Sequence, residues 1–190
     1  LSKIFQTTLG ECTTIIPGVL PQEKKGKDLL SYTAVLPGQL TVRGLTGEFG
    51  TVLRDVPCAD GQFLLAGDVL IKRLNPDCAV VYPGGNNQIV PSANVFAIRP
   101  GEKLDSNYLA FLLEKSKLLQ RITQLSGIGT TVAAITAPQI AGGVIPLPPL
   151  EEQLECGRLW ALGKRKDELL RNMLFENDRL LRALCGKLYQ

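Results

Sequence analysis

The last forty residues constrain this chain most. From Leu150 onward there is no proline, and the residues read as one helix of about 39 residues, roughly 58 Å long at the α-helical rise. A rod of that length needs something to cover its apolar side. Leu170, Leu174, Asn177, Leu181, Leu184 and Leu188 recur at alternating spacings of four and three, the seam of a coiled coil, and Leu169, Met173 and Leu180 widen the apolar face. Asn177 is the one polar residue in the seam, and such a residue fixes register against its own copy or another polar group. Two outcomes stand open: the helix pairs with a partner helix, or it folds back on its own globule. Gly157 and Gly163 weaken its first part as helix, so the rod there either bends or packs closely against something.

What precedes the rod is different text. Between residues 10 and 100 short β-type runs ("CTTII", "QLTVRG", "DVLIKRL", "CAVVY", "NVFAIRP") are punctuated by Gly and Pro, which predicts a curved, mostly antiparallel sheet. In "DVLIKRL", alternation sends Val69, Ile71 and Arg73 to one face and Leu70, Lys72 and Leu74 to the other, and neither face is purely apolar. Asp105 or Ser106 is placed to cap a helix over "SNYLAFLLEKSKLLQRITQL", whose Leu109, Leu112, Leu113, Leu119 and Ile122 recur at helical spacing. Gly127 and Gly129 end it. Val132 to Ile135 suits a short strand, "APQIAGG" one helical turn, and "VIPLPP" an extended exit, because each proline biases its predecessor away from helix. The expectation is an α+β chain: a β-rich globule with a packed helix over residues 1–149, then a long C-terminal helix over 150–190 that pairs as a coiled coil.

Composition narrows the chemistry. With 190 residues, one core of ordinary size plus an appendage is the natural reading. No apolar run approaches the roughly 20 residues that cross a bilayer, and the first segment lacks the basic-then-apolar order of a secretory signal, so a cytoplasmic protein is expected. There is no histidine, which removes Ser-His-Asp and Cys-His mechanisms from this chain. The five cysteines are widely spaced, without a C-x-x-C pair, and read as buried or incidental thiols. Neither a phosphate-binding G-x-x-x-x-G-K-[ST] nor a G-x-G-x-x-G after a strand occurs. Glu151 and Glu152 fit the first turn of the long helix, and Asp60 and Asp77 fit turns, so no paired-carboxylate site emerges. The formal net charge of +3 permits nucleic-acid binding without demanding it.

The residues in order carry a resemblance. "GDVLIKRL", "PSANVFAIRP", the helix "NYLAFLLEKSKLLQRI" and then "SGIGTTVAAITAPQIAGGVIPLPPLEEQ" together resemble the target-recognition domain and following conserved helix of the specificity subunits of type I restriction-modification systems. The resemblance runs over approximately residues 6 to 190. It implies a non-catalytic reader of double-stranded DNA: one recognition domain reads half of a bipartite site, long helices act as a ruler, and the same helices dock methyltransferase (modification) subunits. Cofactors would then belong to partners, S-adenosylmethionine to the methyltransferase and ATP with Mg to a restriction (nuclease-translocase) subunit where one joins. The family's usual subunit has two recognition domains and two helical regions. This chain shows one of each, so the resemblance implies a half-subunit that dimerises through its C-terminal helix.

Candidate DNA contacts follow from chemistry: cations for phosphates, Arg, Asn and Gln for base edges. Lys24, Lys25 and Lys27 fall in one charged loop, Arg43 and Arg54 flank "GLTGEFGTV", and Lys72, Arg73 and Asn75 lie in "IKRLNP". Asn86, Asn87 and Gln88 follow in a later loop. Thr130 and Thr131 in "SGIGTT" are placed to meet a phosphate through hydroxyls and backbone N–H groups, or simply to form a turn. A solvated surface remains the competing reading for each. For the whole chain, a protein-interaction scaffold without useful sequence reading competes with the DNA reader, and an enzyme built on Asp, Glu and Lys comes last.

Overall fold

The computed structural model describes residues 5–22, 28–85, 88–116, 118–124 and 134–188, the side chains of Gln124, Lys187 and Leu188 excepted. The chain begins with β1 (Phe5–Thr8), a single helical turn α1 (Leu9–Cys12) and β2 (Thr13–Ile16). There follow β3 (Leu30–Val35), the hairpin β4 (Leu40–Thr41) and β5 (Gly44–Leu45), β6 (Gly50–Arg54), β7 (Val69–Lys72), β8 (Ala79–Val81), β9 (Ile89–Pro91) and β10 (Val95–Pro100). Helices α2 (Ser106–Lys115), α3 (Leu118–Gln124) and α4 (Ala137–Ala141), strand β11 (Val144–Leu147) and helix α5 (Leu150–Leu188) complete it.

A four-stranded antiparallel sheet in the order β2-β10-β7-β8 forms the centre. Its middle strands have no solvent face. Val69 and Ile71 of β7, with Phe96 and Ile98 of β10, point into a core built with Leu109, Leu112 and Leu113 of α2 and Leu118, Leu119 and Ile122 of α3. Leu70, Val95 and Ala97 point the opposite way, into a second core with Val35, Leu40, Leu64 and Ile89. That two-sided burial is why the alternation in "DVLIKRL" did not reveal a wet face: Val69, Leu70 and Ile71 are all fully buried, and the chain reaches outward only from Lys72 through Arg73 and Leu74. The second core is closed by a three-stranded sheet, β6-β3-β9, in which β3 and β9 run parallel, so the β-rich half is mostly but not wholly antiparallel.

The buried carboxylate of Asp68 is paired. Asp68 is 1% exposed and takes both prongs of Arg99, Nε to Oδ1 and Nη2 to Oδ2, each at 2.8 Å. Arg99 also donates to the Phe63 carbonyl, and its hydrogen bonds to Asp68 hold the guanidinium above its ordinary range. The pair ties the loop before β7 to the end of β10.

Asp105 caps α2, its Oδ1 accepting from Tyr108 N at 2.8 Å. The helix expected to run through residue 125 is instead two helices. At Ser116 both the backbone N–H and the hydroxyl donate to the Leu112 carbonyl, the kind of local back-bonding that bends or ends a helix. The expected strand at Val132 to Ile135 lies mostly outside the described residues. Its end is seen: Ala134 makes an antiparallel bridge with Leu74, and Ile135 N donates to Arg73 O. "APQIAGG" supplies α4, and "VIPL" supplies β11, which pairs antiparallel with β1 and so fastens the start of the chain beside the root of α5.

Helix α5 spans 39 residues, and its two parts have different surroundings. The first part lies alongside α2 and runs in the same direction. Gln153, 1% exposed, accepts from Asp105 N and donates to the carbonyls of Lys103 and Pro148. Eleven residues on, Lys164 reaches Glu114 at the other end of α2. From Arg165 to Gly186 only Glu168 is less than exposed, and the helix stands clear of the globule. The fold-back left open by the sequence is thus seen for the first part of the helix, and the second part leaves its apolar stripe uncovered. No helix among the described residues is long and apolar enough to cross a membrane.

Candidate nucleic-acid interface

The β7–β8 loop and the β4–β5 turn carry most of the described cationic candidates, and both lie at the end of the globule from which α5 departs. Arg43 is exposed at the β4–β5 turn, where its N–H donates to Thr41 Oγ1 and Gly44 follows with φ +114°. Lys72 ends β7, and Arg73 and Asn75 lie on the β7–β8 loop, whose Asp77 shares a surface cleft with Arg43 and with Asp167, Glu168 and Arg171 of α5. The bridge between Leu74 and Ala134 brings the chain that follows Thr130 and Thr131 back to this same loop. Four segments far apart in sequence thus converge on one end.

Their chemistry differs. Arg73 is exposed, and its backbone binds Asn94 O and Ile135 N. Asn75 is exposed and holds φ 47°, a left-handed conformation that Asn tolerates and most side chains do not. Lys72 is bound to Asp77 at 2.9 Å. Burial by itself pushes the Asp77 carboxyl up, but hydrogen bonds from Lys72 and Cys78 together with the Lys72 charge outweigh it and leave Asp77 below the ordinary carboxylate range. The neighbouring Cys78 thiol is pushed up to about 12, chiefly by burial and then by the Asp77 charge.

Arg54 sits elsewhere, at the end of β6 in the second sheet. Its Nη2 donates to Gln22 Oε1 at 2.8 Å, Nη1 approaches Cys58 Sγ at 3.6 Å, and Nε is buried without a protein partner. This guanidinium braces the segment around Gln22 rather than standing free. Lys24, Lys25, Lys27, Asn86, Asn87, Thr130 and Thr131 lie outside the described residues.

On the rod, the seam predicted from spacing is bare. Leu170, Leu174, Leu181 and Leu184 are 48%, 69%, 54% and 58% exposed, Asn177 is exposed among them, and the Leu188 side chain lies outside the described residues. Leu159 and Leu162, which the heptad spacing did not include, prolong the exposed stripe toward the globule. A further group escaped the sequence reading: Glu114, Trp160 and Lys164 join at the root of the free rod. Only the four-residue spacing of Trp160 and Lys164 was legible beforehand.

No protein-family model matches the chain. Over 101 residues it is 27% identical to the putative type I restriction enzyme MjaX specificity subunit of Methanocaldococcus jannaschii, an alignment that spans 50% of this chain and 24% of that protein. The fold superimposes with a TM-score of 0.67 on a chain from a structure of the type I R-M system concerned with its complex assembly and conformational transition, at 21% identity, covering 95% of this chain and 43% of that one. The HsdS subunit from Thermoanaerobacter tengcongensis gives a TM-score of 0.61 at 21% identity, with 90% of this chain and 39% of that one covered. The type I restriction-modification S subunit from M. genitalium gives 0.61 at 13% identity, with 94% and 43% covered. The resemblance carried by the sequence motifs is thus met by a sequence match and by the fold, and the chain spans less than half the length of the proteins it matches.

Proposed function

We propose that this chain is the DNA-reading half of a type I specificity subunit: one recognition globule and one ruler helix, without catalytic groups of its own, that places an adenine methyltransferase on double-stranded DNA. The observation that carries this reading is the exposed leucine stripe on a helix that leaves a closed, well-packed globule. A lone helix with that much apolar surface is unstable in water, and a second copy supplies an identical stripe and a second globule, restoring the two-globule size of the solved relatives. Reading of bases is assigned to the end of the globule that presents Arg43, Arg73 and Asn75, with phosphate contacts from Lys72 and from the lysines at 24, 25 and 27. Methyltransferase subunits, which would carry S-adenosylmethionine, dock along the rod, and a nuclease-translocase subunit, which would carry ATP and Mg, joins where the system restricts as well as modifies.

The test is selection from a random duplex pool by the chain assembled with its modification subunit at fixed salt. Enrichment of an inverted repeat with a constant gap is the expected result, because two-fold protein symmetry is mirrored in DNA half-sites. Two unrelated half-sites would mean a second specificity chain. One observation favours the scaffold reading: Arg54 and Lys72 are already paired with Gln22 and Asp77, so the cations available to DNA are fewer than composition suggests. Assembly with the modification subunit but no enriched sequence is the outcome that would establish the scaffold instead.

A further inference from the structure

We propose that Lys164 and Glu114 form a clamp that sets the direction of the rod and thereby the spacing between the two half-sites; this rests on the DNA-reading function above. The Lys164 ammonium touches three elements at once. It donates to Glu114 Oε1 of α2 and to the Val42 carbonyl in the β4–β5 turn, both at 2.6 Å, and it lies 5.2 Å from the centre of the Trp160 ring one turn back on α5. Glu114 in turn accepts from Ala79 N at the start of β8, so the central sheet, α2 and α5 meet through one carboxylate. The pair is mostly withdrawn from water, at 21% and 8% exposure, where a charge-assisted bond is geometrically strict.

Position gives the clamp leverage. The rod is held first at Gln153, by three hydrogen bonds, and beside it Gly157 lies too close to Asp105 and Tyr108 to admit a side chain. Lys164 is the last residue of α5 bound to the rest of the protein among the described hydrogen bonds and ion pairs, and the helix continues to Leu188. With a pivot at Gln153, a sideways shift at Lys164 is magnified about threefold at the far end, in the ratio of the two helical lengths. A shift of 1 Å at the clamp therefore moves the tip by about 3 Å, close to the rise of one base pair. Gln153 and Gly157 fix where the rod is rooted, and Lys164 fixes where it points.

Two variants and two readouts test this. In the pool selection, now with half-sites fixed and the gap varied, Lys164→Met keeps the aliphatic stem against Trp160 but removes the bonds to Glu114 and Val42. Its discrimination against a gap changed by one base pair should fall about tenfold, the scale of a single misplaced contact, with half-site preference unchanged. Lys164→Arg, which still donates to Glu114 and the Val42 carbonyl, should keep much of the discrimination. A single gap kept by K164M with wild-type discrimination would overturn the clamp. The second readout needs no DNA: the spin-label distance between exposed Cys185 and a cysteine placed at Asp60, with Cys12 and Cys156 replaced by Ala, should broaden in K164M. If wild-type protein selects no paired site, the DNA-reading function falls, and an unbroadened distance distribution in K164M then decides against the clamp by itself.

Discussion

Two glycines six residues apart on α5 look alike in the sequence and have opposite roles. A Cβ at Gly157 would meet Asp105 Oδ1 at 2.4 Å and Tyr108 N at 2.8 Å, colliding with the cap of α2, whereas at Gly163 nothing lies within 4 Å. Alanine favours helix over glycine by about 1 kcal/mol, so Gly163→Ala should stabilise by roughly that amount. Gly157→Ala carries the same gain but forces α5 off α2, and overpacking of this kind costs about 1–3 kcal/mol, so its net effect should be destabilising. Urea midpoints moving in opposite directions for the two variants would establish the close crossing. Midpoints that both rise would show that α5 does not press on α2. Thiol chemistry separates residues as sharply. Cys78 is fully buried and its thiol is pushed up to about 12, while Cys185 stands exposed on the rod. At pH 8, alkylation of the native protein should modify Cys185 and spare Cys78 until the fold is opened by denaturant, as peptide mapping would read.

At the scale of elements, the β7–β8 loop is held by an exposed ion pair, Lys72 with Asp77, and its pH response has a definite sign. Because the folded Asp77 carboxyl lies below its ordinary value, the pair stabilises the protein above the ordinary carboxylate range, and that contribution disappears as pH falls through the folded value. Asp77→Asn should thus lower the thermal midpoint slightly at pH 7, by the equivalent of about 0.5 kcal/mol, and the difference should vanish once the pH falls below the folded value of the Asp77 carboxyl. The rod makes a larger prediction. Burying a leucine side chain stabilises by about 1.5–3 kcal/mol, so Leu174→Glu with Leu181→Glu should raise the dissociation constant of a paired rod by more than about a hundredfold. Sedimentation should show wild type at twice the mass of the variant, whereas equal masses would leave the stripe to another partner. These two elements also mark what sequence could show. The rod was legible because its period continues without proline to the end. The break at Ser116 was not, since it depends on a side-chain bond competing with the helix ladder. Among the candidate DNA contacts, the exposure of Arg43 and Arg73 suits their expected role, but Arg54 meets Gln22 across 32 residues, and elsewhere Lys164 meets Glu114 across 50, pairings that only the folded chain brings about.

For the whole molecule, the question is how so mild a net charge, +3, fits the proposed reading of DNA. Part of the answer is that the positive charge is distributed by the fold. Arg54, Arg99 and Lys164 are turned inward to Gln22, Asp68 and Glu114, and the exposed Arg43 and Arg73 gather where the rod departs. Under the proposed function each globule offers few phosphate contacts, and useful affinity comes from pairing two globules on one rigid frame. Counterion release makes this measurable, because the logarithm of affinity falls with the logarithm of salt at a slope of about −0.9 per phosphate neutralised. A paired molecule should show twice the slope of the Leu174→Glu, Leu181→Glu variant on the same duplex, with each slope independent of protein concentration once the mass is fixed. Equal slopes would mean that only one globule engages DNA at a time, and a ruler helix would then have no two points to measure between. Slopes near zero in both would return the chain to the scaffold reading, since a surface that releases no counterions is not holding phosphates.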